Sequence, residues 1–122
     1  MSKQIQFTKT GSPDVLQIVD VAVPAPKAHE VQIQIHAIGL NRAEMMYREG
    51  AYVIDPVFPA TLGYEGAGVV TAIGDGMSEF AIGDKVSVIP SFMFTEYGTY
   101  GELVNMPVHA VVKHPENLTM EQ

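Results

Sequence analysis

The glycine-rich segment from Leu62 to Val70 holds the residue types and spacing in this chain that could do chemistry. Three glycines fall within six residues, and an unbroken β-branched run follows them. A backbone of this kind passes close to another group and then enters a buried strand. Tyr64 and Glu65 lie beside the glycines. The segment therefore predicts a place where another backbone, or a second domain with its ligand, packs against a strand.

Gly66 and Gly68 also match the first half of the dinucleotide-binding fingerprint G-x-G-x-x-G, but Thr71 stands where its third glycine should be. The residues at 69–73 are typical of a strand, so no helix N-terminus is available there to bind a pyrophosphate. We therefore assign no nucleotide phosphate site to this segment.

The sequence offers few residues that could bind a metal ion and none that could act as a thiol. The chain has no cysteine, which excludes disulfides, cysteine nucleophiles and thiolate metal sites. Its histidines show no metal-binding spacing such as a helical i, i+4 pair, and we expect solvated or hydrogen-bonded structural roles for them. The four are His29, His36, His109 and His114.

Length and charge limit the classes of partner. A chain of 122 residues is expected to form one domain with a core of its own. The net charge of −7 argues against nucleic acid or an anionic membrane as a partner. No apolar stretch approaches the roughly 20 residues that span a bilayer. The N-terminus alternates like a strand and lacks a signal-peptide core, so we expect a cytoplasmic protein.

The elements that must position these groups are mostly strands. The segment Val31 to Ala37 alternates cleanly and places its apolar residues on one face. Gly74 to Gly76 predicts a turn. Many short strands with Gly and Pro turns favour a barrel or a sandwich. The further predicted strands cover residues 5–9, 16–21, 86–89, 101–104 and 109–113.

One short helix is predicted between the first clean strand and the glycine-rich segment. Asn41 is a good N-cap, and Glu44 lies where a capping-box carboxylate reaches back to it. Gly50 is a natural C-terminal stop. The cap alone gives Asn41 a structural role worth about 1 kcal/mol.

Four segments, in this order and at this spacing, resemble the N-terminal GroES-like domain of the medium-chain dehydrogenase/reductase superfamily. The resemblance runs from Gln6 to Gln122 and implies a mainly β fold, a GroES-like, partly open β-barrel with one short helix. The segments are GLNRAE at 39–44, PATLGYEGAG at 59–68, GDKV at 83–86 and GTYGEL at 98–103.

Two positions of the resemblance indicate a branch without zinc. Zinc enzymes of the superfamily have a cysteine where this chain has Asn41 and a histidine where it has Tyr64. A catalytic zinc needs about three protein ligands, and an amide and a phenol are poor replacements for a thiolate and an imidazole. We expect the Tyr64 ring to occupy the space of a zinc ion. The resemblance therefore implies the zinc-independent quinone oxidoreductase branch, with no metal.

This branch implies an NAD(P)H-dependent reductase that transfers hydride to a quinone or an enone, a small-molecule substrate. Residues 1–122 would be the substrate-side domain. The cofactor, NADP or NAD, would be bound mainly by a nucleotide-binding Rossmann domain expected after residue 122. Thr119 to Gln122 matches a T-x-x-Q capping box, which predicts a helix start at that point. We expect residues 1–122 alone to be inactive and the full-length protein to form a homodimer.

The resemblance also assigns the site residues. Tyr52 and Asn41 are the expected catalytic residues: the Tyr52 phenol would bond a substrate carbonyl and help its oxygen acquire a proton, while Asn41 would face the nicotinamide and substrate. Asn41, Tyr64 and Glu65 are the expected cofactor-binding residues at the domain junction. The plainer alternatives are a helix cap at Asn41, a packed ring with a hydrated hydroxyl at Tyr52, and an exposed carboxylate at Glu65.

Two other functions stay open at this point. The chain could be a stand-alone GroES-like binding module without catalysis, which predicts a polar surface around Tyr52 and Tyr64. An exposed apolar patch there would instead favour the enzyme. The parent could also be a zinc-type alcohol dehydrogenase with displaced ligands, which metal analysis of the full-length protein would reveal.

Overall fold

The computed structural model describes all 122 residues. They form two antiparallel sheets and one α-helix, and the sheets do not close into a barrel. The prediction of a mainly β, partly open fold with one short helix is therefore confirmed. In chain order the elements are β1 (Ser2–Phe7), β2 (Gln17–Val21), β3 (Glu30–Gly39), α1 (Arg42–Glu49), β4 (Ala60–Thr61), β5 (Glu65–Ile73), β6 (Lys85–Val88), β7 (Leu103–Pro107) and β8 (Val111–Lys113).

The sheets have the strand orders β2-β1-β4 and β7-β3-β5-β6-β8. The larger sheet is built around β3, which pairs with β5 on one side and β7 on the other. Val31 and Ile33 of β3 are fully buried, while Gln34 and His36 are exposed. The predicted alternation is confirmed, because side chains with a period of two share one face of the sheet.

Glycine is required at one position of the β3–β5 pair. A Cβ atom at Gly68 would overlap the carbonyl of Gln34 on the neighbouring strand. The glycine-rich segment thus continues as strand β5, as predicted, and its glycines let another backbone approach closely. No helix begins after Gly68, so the segment offers no pyrophosphate cradle.

Some strand bounds differ from the prediction. β1 starts at Ser2 and ends at Phe7, and β7 starts at Leu103 instead of residue 101. The main chain just before β7 pairs with the smaller sheet, where the N–H of Glu102 donates to Lys3 O at 2.9 Å. His109 belongs to a 3₁₀ turn, Val108–Ala110, which precedes β8.

Buried apolar side chains form two separate clusters. The first, here called the apolar core, fills the larger sheet and comprises Val31, Ile33, Val70, Phe80, Val86, Val88, Val104, Met106 and Val111. The second, here called the aromatic cluster, packs between α1 and the smaller sheet and comprises Phe7, Tyr47, Ala60, Leu62, Tyr64 and Phe94. Tyr52 packs against the aromatic cluster, so this cluster positions the candidate site.

Helix α1 begins and ends where the sequence predicts. The Asn41 N–H donates to Glu44 Oε1 at 2.9 Å, the reach-back half of a capping box. Gly50 adopts φ +80° at the C-terminus, a left-handed conformation that favours glycine. Neither this helix nor the short 3₁₀ turns could cross a membrane, since none is long and apolar enough.

Candidate functional site

Two tyrosines meet beside the aromatic cluster. Tyr52 Oη lies 3.1 Å from Tyr64 Oη, within hydrogen-bond distance. Tyr52 follows α1 and is half-buried, whereas Tyr64 immediately precedes β5 and is buried. The structure therefore brings together two of the predicted site residues that are 12 positions apart in the chain.

Phe94 is the common wall for both phenols. Its ring stacks on Tyr64 with centroids 3.8 Å apart and an interplanar angle of 16°. The ring of Tyr52 lies 5.8 Å from Phe94. Phe92 meets Tyr64 edge-on at 5.6 Å. These contacts fix the plane of the Tyr64 ring, because Phe94 covers one of its faces closely and Phe92 packs edge-on against it.

Gly63 sets the direction of the chain as it enters β5. It has φ +110°, and a Cβ atom there would overlap Thr99 Oγ1. The same Thr99 hydroxyl donates to the carbonyl of Glu65 at 2.9 Å. Because successive residues of an extended chain point to opposite sides, Tyr64 is buried and Glu65 is exposed.

The second predicted pair is Asn41 and Glu65. Asn41 Nδ2 donates to Glu65 Oε2 at 2.8 Å. Gly39 leaves room for this carboxylate, since a Cβ at that position would come within 3.2 Å of the same oxygen. Asn41 thus bonds Glu44 through its main chain and Glu65 through its side chain.

Glu44 joins the two pairs. The residue is only 4% exposed. Oε1 accepts from the Asn41 N–H at 2.9 Å and from the Tyr100 hydroxyl at 2.7 Å, and Oε2 accepts from the Tyr64 N–H at 3.3 Å. Its capping-box position was visible in the sequence, whereas its contacts with Tyr64 and Tyr100 were not.

Burial favours the protonated form of two phenols, Tyr64 and Tyr100. Desolvation raises the pKa of Tyr64, and the hydrogen bond to Tyr52 raises it further. Desolvation also raises the pKa of Tyr100, together with the hydrogen bond to Glu44. Both side chains are consequently neutral hydrogen-bond donors at physiological pH.

Tyr47 lies in α1 and has a packing role. Its ring is fully buried, 4.8 Å from the ring of Phe94. Its hydroxyl makes no well-formed hydrogen bond. Burial raises its pKa, and the main-chain N–H of Val57 opposes this only in part. Tyr47 therefore contributes to the wall behind the site through its ring.

A cavity of about 380 Å³ lies beside Glu65, between the larger sheet and the last residues of the chain. Its lining includes Gly39, Glu65 and Ser87, but neither Tyr52 nor Tyr64. His114 lines it too: Nε2 donates to Thr119 O at 2.8 Å, and Nδ1 lies 2.7 Å from Ser87 Oγ. Of the predicted site residues only Glu65 lines this cavity, and Asn41, Tyr52 and Tyr64 line no cavity of the chain. The site residues therefore do not share one enclosed pocket.

The donor set fits zinc poorly. Around Tyr64 the side chains are a second phenol, an amide and carboxylates, with no imidazole or thiolate. The Tyr64 ring itself is held in place by Phe94. The chain contains no group of three or more His, Asp and Glu side chains arranged to hold a metal ion. For a nicotinamide cofactor, this chain offers no helix N-terminus after the glycine-rich segment that could bind the pyrophosphate.

Comparisons with known proteins agree on one family. The profile of the alcohol dehydrogenase GroES-like domain matches residues 27–116. The quinone oxidoreductase of Homo sapiens is 37% identical over 123 residues, which is 100% of this chain and 36% of that protein.

Solved structures give the same result. The quinone oxidoreductase of Pseudomonas syringae pv. tomato DC3000 is 38% identical with a TM-score of 0.89, over 98% of this chain and 35% of that one. The Escherichia coli quinone oxidoreductase complexed with NADPH is 30% identical with a TM-score of 0.86, over 98% of this chain and 35% of that one. The chain therefore spans about a third of the length of these similar proteins.

Proposed function

The chain belongs to the alcohol dehydrogenase GroES-like domain family of the medium-chain dehydrogenase/reductase superfamily, and on this basis we propose that it forms the substrate side of a zinc-independent, NADPH-dependent reductase of quinones or enones. The family likeness confirms the predicted GroES-like fold. Relatives named quinone oxidoreductase, one of them complexed with NADPH, support the activity and the cofactor. The nucleotide-binding domain of this enzyme is part of the proposal.

The observation that carries the proposal is the linked set of polar groups around Glu44. Tyr52 with Tyr64 and Asn41 with Glu65 form two hydrogen-bonded pairs, and the Glu44 carboxylate bonds both. A set of this kind holds donors in fixed positions before a ligand arrives. Pre-organised donors aimed at an oxygen that gains negative charge are among the largest contributors to catalysis.

The chemistry requires one hydride and one proton for each quinone or enone reduced. The nicotinamide, when bound, supplies the hydride. Tyr52 lies at the half-buried edge of the aromatic cluster, where its hydroxyl can donate to the carbonyl oxygen of the substrate. As negative charge grows on that oxygen, the hydrogen bond strengthens and the oxygen takes the Tyr52 proton. Water then supplies a new proton to the Tyr52 phenolate.

Asn41 would hold the reacting end of the cofactor. Its amide is fixed by Glu65 on one side, and its main chain is fixed by Glu44 on the other. An amide in a fixed orientation can pair with a carboxamide such as that of nicotinamide. Glu65 is exposed beside it and is available for a charge pair across a domain junction.

Exposed apolar side chains flank the two pairs. Leu40, next to Asn41, is 78% exposed, and Val53, next to Tyr52, is 85% exposed. Val57, further along the same loop, is 66% exposed. This surface favours the enzyme over a stand-alone module with a polar surface, because a nucleotide-binding domain would cover it.

The test is an assay on the protein expressed from its complete reading frame. We expect quinone-dependent oxidation of NADPH that a zinc chelator does not reduce, and no stoichiometric zinc in metal analysis. Tyr52→Phe should lower kcat about 10-fold or more while the KM for NADPH stays unchanged. The matched control is Tyr97→Phe, which removes a phenol hydroxyl that bonds Glu30 and keeps the ring contact with Phe92.

Two results would overturn the proposal. Stoichiometric zinc would remove its zinc-free part, and full activity in Tyr52→Phe would remove the proposed role of the phenol. Residues 1–122 alone are expected to show no turnover, so NADPH-dependent quinone reduction by that chain would contradict the need for a second domain.

A further inference from the structure

We propose that Tyr64 is a positioning residue: its hydroxyl donates to Tyr52 Oη, so that Tyr52 presents its own hydrogen to an oxygen acceptor on the ligand. The catalytic meaning of this inference rests on the function proposed above. The direction of the hydrogen bond does not rest on it and can be measured separately.

Burial decides which phenol donates. The two oxygens are 3.1 Å apart, and either could be the donor by distance alone. Tyr64 is only 9% exposed, and Tyr52 is the one partner of its hydroxyl. If Tyr64 accepted instead, its own hydrogen would stay buried without a partner, which folded proteins nearly always avoid. Tyr52 is half-buried, so its hydrogen can reach water or a ligand.

The position of the donor is fixed as well as its direction. The stack on Phe94 and the edge contact with Phe92 set the plane of the Tyr64 ring. A phenol hydroxyl prefers to lie in the plane of its ring, so a fixed ring leaves the hydroxyl few orientations. The backbone of Tyr64 is held by Glu44. The Tyr64 hydroxyl therefore donates to Tyr52 from a fixed position and in a fixed orientation.

The arrangement selects the chemical class of the ligand. A Tyr52 hydroxyl that already accepts a hydrogen bond is a stronger donor to the next group, because hydrogen bonds in a chain polarise one another. It suits a carbonyl oxygen, as in a quinone or an enone, and suits poorly a ligand that presents only N–H donors. Burial, which raises the pKa of Tyr64, keeps its hydrogen in place.

The direction of the bond can be read by NMR on this chain. Tyrosine labelled with carbon-13 at the ζ position, in an equal mixture of H2O and D2O, gives a doublet where the hydroxyl exchanges slowly and a single line where it exchanges fast. We expect a doublet for Tyr64 and a single line for Tyr52, with Tyr52→Phe and Tyr64→Phe used for assignment. A doublet on Tyr52 instead, or on neither residue, overturns the proposal.

The consequence for catalysis is tested by Tyr64→Phe in the complete protein, which keeps the stack on Phe94 and removes only the hydroxyl. We expect kcat for quinone reduction to fall about 3- to 10-fold with an unchanged KM for NADPH. Tyr97→Phe is the control and should keep the wild-type kcat. An unchanged kcat in Tyr64→Phe overturns the positioning role.

The role of Tyr52 and the direction of its bond to Tyr64 can fail separately. If Tyr52→Phe is fully active while Tyr64 still shows its doublet, the proposed function of Tyr52 is wrong and the hydrogen-bond direction stands. If Tyr52→Phe is inactive while Tyr64 shows no doublet, the proposed function stands and the positioning role is wrong.

Discussion

Among single residues, Tyr47 is the exception to the rule that buried polar groups are hydrogen-bonded. Its hydroxyl is the one buried side-chain nitrogen or oxygen in the chain without a well-formed hydrogen bond, and its polar neighbour is the main-chain N–H of Val57. A buried polar group with so weak a partner loses its hydration and gains little in return. Its ring, by contrast, packs well against Phe7 and Phe94.

We therefore predict that Tyr47→Phe keeps or raises stability, with a gain of about 1 kcal/mol in the free energy of unfolding. Chemical denaturation measures this change. The matched control is Tyr97→Phe, because the Tyr97 hydroxyl donates to Glu30 Oε2 at 2.6 Å. That variant should lose about 1 to 2 kcal/mol, since it leaves a buried carboxylate short of a donor. Equal losses in both variants would contradict the prediction.

Single residues also show where prediction from sequence ends. The helix cap at Asn41 followed from local spacing, because a capping box depends on residues three apart. The pairing of Tyr52 with Tyr64 depends on how a loop folds back on α1. The contact between Glu44 and Tyr100 joins residues 56 positions apart. No local pattern encodes such contacts.

At the scale of elements, β3 and β5 approach each other most tightly at Gly68. Gly68→Ala would place a methyl group against the main-chain carbonyl of Gln34, which cannot move without breaking the sheet. We predict that this variant is largely unfolded or insoluble at room temperature, as measured by circular dichroism.

Gly76→Ala is the control for this prediction. Gly76 has φ +76°, and a Cβ atom there would meet nothing within 4 Å, so only backbone strain opposes the substitution. We expect a loss of about 1 kcal/mol and a native spectrum. If Gly68→Ala were folded and as stable as Gly76→Ala, the prediction would be wrong, and β3 and β5 would be able to separate at low cost in free energy.

The sequence predicted these elements unevenly. β3 and the start and end of α1 agree with prediction, because alternation and capping are local signals. The start of β7 was placed too early, because the main chain of Tyr100 and Glu102 bonds β1 at 2.9 Å before joining the larger sheet. The chain here bonds the smaller sheet first and the larger sheet next. This is a tertiary effect that the alternation of a strand sequence does not show.

At the scale of the whole molecule, Glu30 ties the start of β3 to two loops. Its carboxylate accepts from the Lys27 N–H at 3.0 Å and from the Tyr97 hydroxyl at 2.6 Å. Burial raises the pKa of Glu30, but these hydrogen bonds outweigh it, so that the pKa lies below its ordinary value. The folded state therefore favours the ionised carboxylate.

We predict a loss of stability in acid that depends on Glu30. The stabilisation is present above the pKa of about 4.3 expected in the unfolded chain, and it is lost as pH falls through the lower folded-state pKa. Urea denaturation between about pH 6 and pH 3 should show a steeper loss for the wild type than for Glu30→Gln. Tyr97→Phe, which removes one of the two hydrogen bonds, should lie between them. Parallel curves for the three proteins would contradict this prediction.

The separation of the aromatic cluster from the apolar core has a consequence for how this domain can change. Residues that shape the site sit in the smaller cluster, while the larger cluster secures the main sheet. Phe92 packs against both clusters and has to be kept. Diversity introduced at Tyr52 and Tyr64 would therefore fall on a wall that the sheet does not need for its own cohesion. A library restricted to these positions should yield many soluble variants with altered ligand preference, and natural selection would have had the same freedom.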